Sequence, residues 1–166
     1  MRGRTIIAAT ALAAASLASA SFGAGAAGAV TTCTWGGTPT APTGTFTMSP
    51  GLTNLPAPGA LKLKATGDIA GDPPCSGKMT FSGQVDAGSN CTLGSFEGTV
   101  SGLPGVTRFW GKGSLIGSEL LYNAAGEVVG SDQPEILTPD NQSKATACET
   151  ATGFTGGTFA ALVELF

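Results

Sequence analysis

Leu61-Lys62-Leu63-Lys64-Ala65-Thr66 and, further on, Met79-Thr80-Phe81-Ser82-Gly83-Gln84-Val85-Asp86 carry apolar side chains at alternate positions. Successive side chains of a strand point to opposite faces, so this period of two marks strands with one face buried and one in water. The same period returns with Phe96 and Val100 against Glu97 and Thr99, and with Phe109 and Leu115 against Arg108 and Lys112. It closes the chain, where Phe159, Ala161, Val163 and Leu165 alternate with Thr158 and Glu164. Gly-Asp-Pro-Pro (71–74), Asp-Ala-Gly-Ser-Asn (86–90), Leu-Pro-Gly (103–105) and Asn-Ala-Ala-Gly (123–126) supply turn chemistry between the runs. No apolar stripe of helical period follows residue 29. The expected fold class is therefore all-β, a single antiparallel domain.

Glycine also interrupts the runs themselves, at Gly83, Gly94, Gly98, Gly102, Gly111 and Gly113. Glycine inside a strand marks a bend, a bulge or a close backbone approach, which a sheet needs where it curls on itself. This favours a small curled sheet or barrel over a sandwich. Upstream, residues 36–60 hold five of the ten prolines, at 39, 42, 50, 56 and 58. Proline at that density breaks regular ladders. Residues 30–60 are accordingly expected to form an arm with one short strand, Thr45 to Met48, packed on a β domain of residues 61–166. Phe46, Met48, Leu52 and Leu55 give that arm an apolar side to bury.

The chain opens with Arg2 and Arg4, then an apolar stretch from Thr5 to Ala18 and small residues up to Ala29. This is the n-, h- and c-region pattern of a secretory signal peptide, expected over residues 1–29, with Ala18-Ser19-Ala20 as the alternative cleavage motif. The apolar stretch is shorter than the roughly 20 residues that span a bilayer. Removal of 29 residues from 166 leaves 137, and Lys plus Arg falls from 8 to 6 against 11 acids, a formal charge of −5. So acidic a chain has no basic patch for nucleic acid. Secretion to the extracellular space is expected, with an extracellular ligand or protein as partner and no integral membrane segment.

Cys33, Cys75, Cys91 and Cys148 all follow the leader, at spacings of 42, 16 and 57 residues. An even count in an exported chain reads as two disulfides, and without a C-x-x-C pair or any histidine no zinc site is expected. If the runs at 78–86 and 91–101 form a hairpin, Cys75 and Cys91 precede successive antiparallel strands and lie at opposite ends. That exceeds the roughly 7 Å a disulfide can bridge between Cα atoms. Cys75–Cys91 and its complement Cys33–Cys148 are thereby disfavoured, and the other two pairings remain open.

Chemistry is sparse. The absence of histidine removes Ser-His-Asp and Cys-His sites. The run from Gly105 to Ser114 has the wrong spacing for a phosphate loop. Asn90-Cys91-Thr92 and Asn141-Gln142-Ser143 match the N-glycosylation acceptor. Glu97, and Asp132 with Glu135 flanking Gln133-Pro134 in an expected loop, are the carboxylates available for acid–base work. Eleven acids spread over an acidic surface read first as solvated charges. No cofactor is expected.

The surface with most character is Arg108, Trp110 and Lys112, which share one face of a strand whose other face carries Phe109. With Phe109 inward, Trp110 stands between two cations and offers a flat ring to a ligand or partner. Trp35 is expected to pack beside the disulfide at Cys33. In composition the chain is similar to small secreted proteins of actinobacteria. It also resembles the secreted apoproteins that carry enediyne antibiotics, which are two-disulfide β-sandwiches, although its cysteine spacing departs from their closely spaced pairs. That resemblance transfers no site residue. Three functions follow: a non-enzymatic extracellular binding or structural module first, a carboxylate-based glycan hydrolase second, and a carrier of a small hydrophobic ligand in a barrel third.

Overall fold

The computed structural model describes residues 29–113, 117–135 and 145–166. Leu115, Ser114, the sequence Asn141-Gln142-Ser143 and all but the last residue of the expected leader lie outside the described residues.

The strands are β1 (Thr31–Trp35), β2 (Gly37–Thr38), β3 (Ala41–Pro42), β4 (Gly44–Leu52), β5 (Leu61–Gly71) and β6 (Ser76–Val85). They continue as β7 (Gly94–Ser101), β8 (Arg108–Gly113), β9 (Gly117–Tyr122), β10 (Val128–Glu135) and β11 (Phe154–Leu165), with one 3-10 turn at Ala145–Glu149. From β5 to β11 each strand pairs antiparallel with the next. β1 and β4 then fill a single position between β11 and β5. β1 runs beside the end of β11, from Thr31↔Leu165 to Trp35↔Ala161, and beside the end of β5. β4 runs beside the start of β11 and the first half of β5. The result is a closed eight-stranded antiparallel barrel with two disulfides, and closure leaves no long unpaired edge.

Residues 30–60 thus supply a barrel position rather than lying along a finished sheet. The prolines permit this because none of the five takes a partner in the barrel's own ladders. Pro39 and Pro42 belong to the excursion between β1 and β4, and Pro56 and Pro58 to the loop after β4. Pro50 falls where the β4–β11 register shifts between Thr47↔Gly156 and Leu52↔Phe154. In that bulge its missing N–H removes no ladder bond. The chain leaves the barrel at Gly36 and returns at Gly44. The Gly36 carbonyl accepts from the amides of Thr43 (2.7 Å) and Gly44 (2.9 Å). Gly36 has φ +75°, and an added Cβ would lie 2.8 Å from both the Gly44 Cα and the Phe159 carbonyl oxygen. Only glycine fits there.

The alternation read from the sequence is the inside–outside pattern of the barrel. Leu61, Ile69, Met79, Phe81, Val85, Phe109, Phe159 and Val163 are buried, while Lys62, Lys64, Lys78, Arg108 and Lys112 are exposed. An apolar interior with charges outside is the reverse of a lipid-facing barrel. Among the described residues no helix is long and apolar enough to cross a membrane.

One barrel end is closed by loops. Cys91, in the β6–β7 loop, is bonded to Cys148 in the 3-10 turn. The Cys91 amide donates to the Thr53 carbonyl (2.8 Å) and the Asn54 amide to the Cys148 carbonyl (2.9 Å), which gathers three loops together. Near the other end Cys33 of β1 is bonded to Cys75 ahead of β6. This is one of the two pairings that strand direction left open.

Candidate functional site: a buried carboxyl pair in an aromatic cavity

β9 places Glu119 and Leu121 on the inner face, and β10 places Asp132 and Pro134 there. Glu119 and Asp132 are direct cross-strand partners. The fold therefore puts two carboxyls side by side inside the barrel, with Asp132 0% and Glu119 6% exposed. Asp132 was expected in a loop with solvated acids. It stands instead in a strand, because β10 continues through Pro134 beyond its last partner on β9, where a missing amide breaks no bond on that side. Glu135 ends the same strand, and only its backbone is described. Glu97, the third acid considered, is exposed on the outer face and does not join the pair.

The pair borders a cavity with about 70 Å³ open to the centre of a water molecule, enough for roughly four or five waters. Its other walls are Trp35, Phe46, Leu63, Ala65, Phe81, Phe96, Phe109, Pro134 and Phe159. The rings meet edge to face: Trp35 on Phe159 with centroids 4.5 Å apart, and Phe81, Phe96 and Phe109 in a triangle with separations of 5.5 to 5.9 Å. Trp35 was expected beside its neighbouring disulfide. It shares the core with Cys33 and Cys75 and forms cavity wall, and its Nε1 donates to the Met79 carbonyl at 3.3 Å. Leu63, Ala65 and Phe96 line the cavity yet are only partly buried.

Inward-facing glycines make room for these rings. Gly83 of β6 and Gly98 of β7 are cross-strand partners, and a Cβ on either would lie 2.7 Å from the Phe81 ring. A Cβ at Gly111 would meet the Phe96 ring at 2.5 Å and the Glu119 Cγ at 2.9 Å. Gly111, opposite both Phe96 and Glu119 in the sheet, is what lets ring and carboxyl share one patch of wall.

Electrostatically the pair is unusual. Burial raises Asp132 from its ordinary 3.8 to about 7. Burial first, and then the charge of Asp132, hold Glu119 well above the ordinary carboxylate range. Neither Asp132 oxygen meets a hydrogen-bond donor when both groups are ionised. The Gln133 amide lowers Asp132 somewhat without reaching hydrogen-bond geometry. A proton kept on Glu119 supplies the missing donor, so the two carboxyls act as one proton-sharing unit. All described lysines and arginines are exposed, so no cation of the described chain neutralises the pair. Among the described residues no group of three or more His, Cys, Asp or Glu is placed to hold a metal ion.

Arg108, Trp110 and Lys112 do share the outer face of β8. Arg108 and Lys112 are exposed, and Trp110 is half-covered between Glu97 of β7 and Leu120 of β9. The Arg108 guanidinium lies over the Tyr122 ring, 4.7 Å from its centroid. At the first glycosylation motif, the Asn90 Oδ1 accepts from the amides of Thr92 (2.8 Å) and Leu93 (2.9 Å), and Cys91 is in a disulfide.

Fold and site together define a disulfide-linked antiparallel β-barrel whose cavity pairs aromatic walls with two interior carboxyls. Comparison with protein-family models, with curated proteins and with solved structures returned no match.

Proposed function

We propose that this protein is a secreted, non-enzymatic barrel that holds a small, mainly apolar molecule by one polar group inside its cavity. The observation that carries the reading is Asp132, wholly buried at the wall of an aromatic cavity with no donor for its oxygens except a proton held by Glu119. Such a group costs stability, on the order of kcal/mol, unless something completes it. An apolar pocket with a few convergent polar groups is the usual form of a small-molecule site. A cavity of this size suits a head group and a few carbons. Two disulfides and an apolar leader with small residues at its end support export.

A glycan hydrolase is disfavoured by the same geometry. Its two carboxyls flank a glycosidic bond at roughly 5 to 9 Å, whereas these are close enough to share one proton. The test is a titration of Trp35 fluorescence, on a Trp110→Phe background, with benzylamine, benzyl alcohol and phenylacetate. Saturable change with at least one probe, lost in Ala65→Leu, is expected. No response to any probe would overturn the cavity reading.

A further inference from the structure

Resting on that reading, we infer that the cavity selects a protonated amine or quaternary ammonium, with Asp132 and Glu119 together presenting one negative charge to it. The inference starts from charge balance. A carboxylate inside a barrel is tolerable only when paired or protonated. Asp132 is 0% exposed and its oxygens meet no donor except a proton held by Glu119. Its neighbours can be followed strand by strand. On β9 the inward acid is Glu119, which is itself a proton holder. On β11 the residues nearest in register are Val163 and Ala161, and Glu164 falls opposite Ser131. Across the cavity β1, β4, β5, β6, β7 and β8 present Trp35, Phe46, Leu63, Ala65, Phe81, Phe96 and Phe109. The charged groups of those strands, Lys62, Lys64, Lys78, Glu97, Arg108 and Lys112, are exposed. Within the described chain, then, the pair can be neutralised only by protons. An incoming cation offers the alternative.

The walls fit that cation better than they fit a neutral donor. The faces of Trp, Tyr and Phe rings attract positive charge, and cages of such rings are a recurrent way of binding organic ammonium ions. Here six rings, Trp35, Phe46, Phe81, Phe96, Phe109 and Phe159, line the space beside the carboxyls. An anionic ligand would meet both a carboxylate and the negative faces of the rings. A neutral alcohol could satisfy one Asp132 oxygen, yet would leave the charge uncompensated.

Binding is then an exchange. The ammonium enters with its own proton, and whatever proton Asp132 carries is released to solvent. Because burial holds Asp132 near 7, ligand and proton compete across neutral and mildly acidic pH. Below that range the affinity of an ammonium that stays charged should fall by up to about tenfold per pH unit. A ligand taken up at neutral pH would be released on acidification.

The same three probes separate this inference from the reading it rests on. Benzylamine should bind at least about tenfold more tightly than benzyl alcohol, the factor that 1.4 kcal/mol represents. Phenylacetate should bind more weakly than either. Calorimetry in two buffers of different ionisation enthalpy should record proton release with benzylamine near pH 6 and none with benzyl alcohol. Asp132→Asn should abolish the preference for benzylamine over benzyl alcohol and the proton release. If Asp132→Asn fails to fold, the second variant is Glu119→Gln, which imitates the protonated Glu119 and leaves the Asp132 charge in place. It should keep the benzylamine preference, and its loss there would overturn the assignment. Equal binding of amine and alcohol, or an amine affinity that does not change with pH, would overturn the ammonium assignment and leave the cavity reading standing. Tighter binding of phenylacetate would overturn it too.

Discussion

Raising the pH from about 4 to about 8 strips protons from a buried carboxyl pair, so the barrel should lose stability over that interval. The sign follows from the direction of the shift. Asp132 holds its proton up to about 7 in the folded barrel and only to about 3.8 in an unfolded chain. Below the lower value both states are protonated and the group contributes nothing. Between the two values the unfolded state ionises first, the folded state binds more protons, and stability falls with rising pH. Above the upper value the penalty is complete. The interval 7 − 3.8 is about three units. At 1.36 kcal/mol per unit that amounts to roughly 4 kcal/mol from Asp132, with Glu119 adding in the same direction. Against a typical domain stability of about 5–15 kcal/mol the effect is large. Urea unfolding at a series of pH values, followed by circular dichroism, reads it directly. The acidic surface also gains from proton uptake, so the control is Asp132→Asn. That variant should exceed the wild type in stability at about pH 8 and show a much flatter profile between about 4 and 7. A wild-type profile that is flat or rises across this range, or one that Asp132→Asn leaves unchanged, would refute the account of the pair.

Reduction of the two disulfides, which close separations of 42 and 57 residues, should remove on the order of 4 kcal/mol each in the chain-entropy model. Calorimetry of the reduced protein should then record a melting temperature lower by roughly ten degrees or more. Trp110→Ala, on the outer face, should cost clearly less than the roughly 3–5 kcal/mol typical of removing a core aromatic. Iodide should quench Trp110 and spare Trp35, which is 3% exposed; the reverse pattern would mean that β8 is turned over.

Much of the barrel is legible in the chain because alternation is a local property. Once Leu61, Leu63, Met79, Phe81, Phe96 and Phe109 point one way, strand geometry turns Lys62, Lys64, Glu97 and Arg108 the other way. The two halves of the closing position are harder to read. Five prolines across 36–60 argue locally against a ladder. Only the three-dimensional path shows that each falls in an excursion, a bulge or a loop, so that β1 and β4 together complete the ring.

The carboxyl pair escaped the sequence reading for a related reason. Leu120-Leu121 puts a leucine on each face, so the phase of β9, and with it the direction of Glu119, is undetermined. On β10 the register shifts between Val128 and Gly130. Counting alternate residues back from Asp132 therefore gives no phase either. The usable signal was parity, Glu119 standing two before Leu121 and Asp132 two before Pro134, but it needs the partner strand to give it meaning.

The sequence by itself determined the all-β class, the antiparallel alternation, the disulfide content and the placing of Arg108, Trp110 and Lys112 on one face. Each depends on side chains within a few residues of one another or on simple counting. The tertiary structure alone decided that the sheet closes into eight positions, that Cys33 pairs with Cys75 and Cys91 with Cys148, and that Glu119 and Asp132 share an aromatic cavity. Those outcomes depend on which strands become neighbours. Closure joins residues more than a hundred positions apart, such as Thr31 and Leu165, and no local pattern specifies that distance.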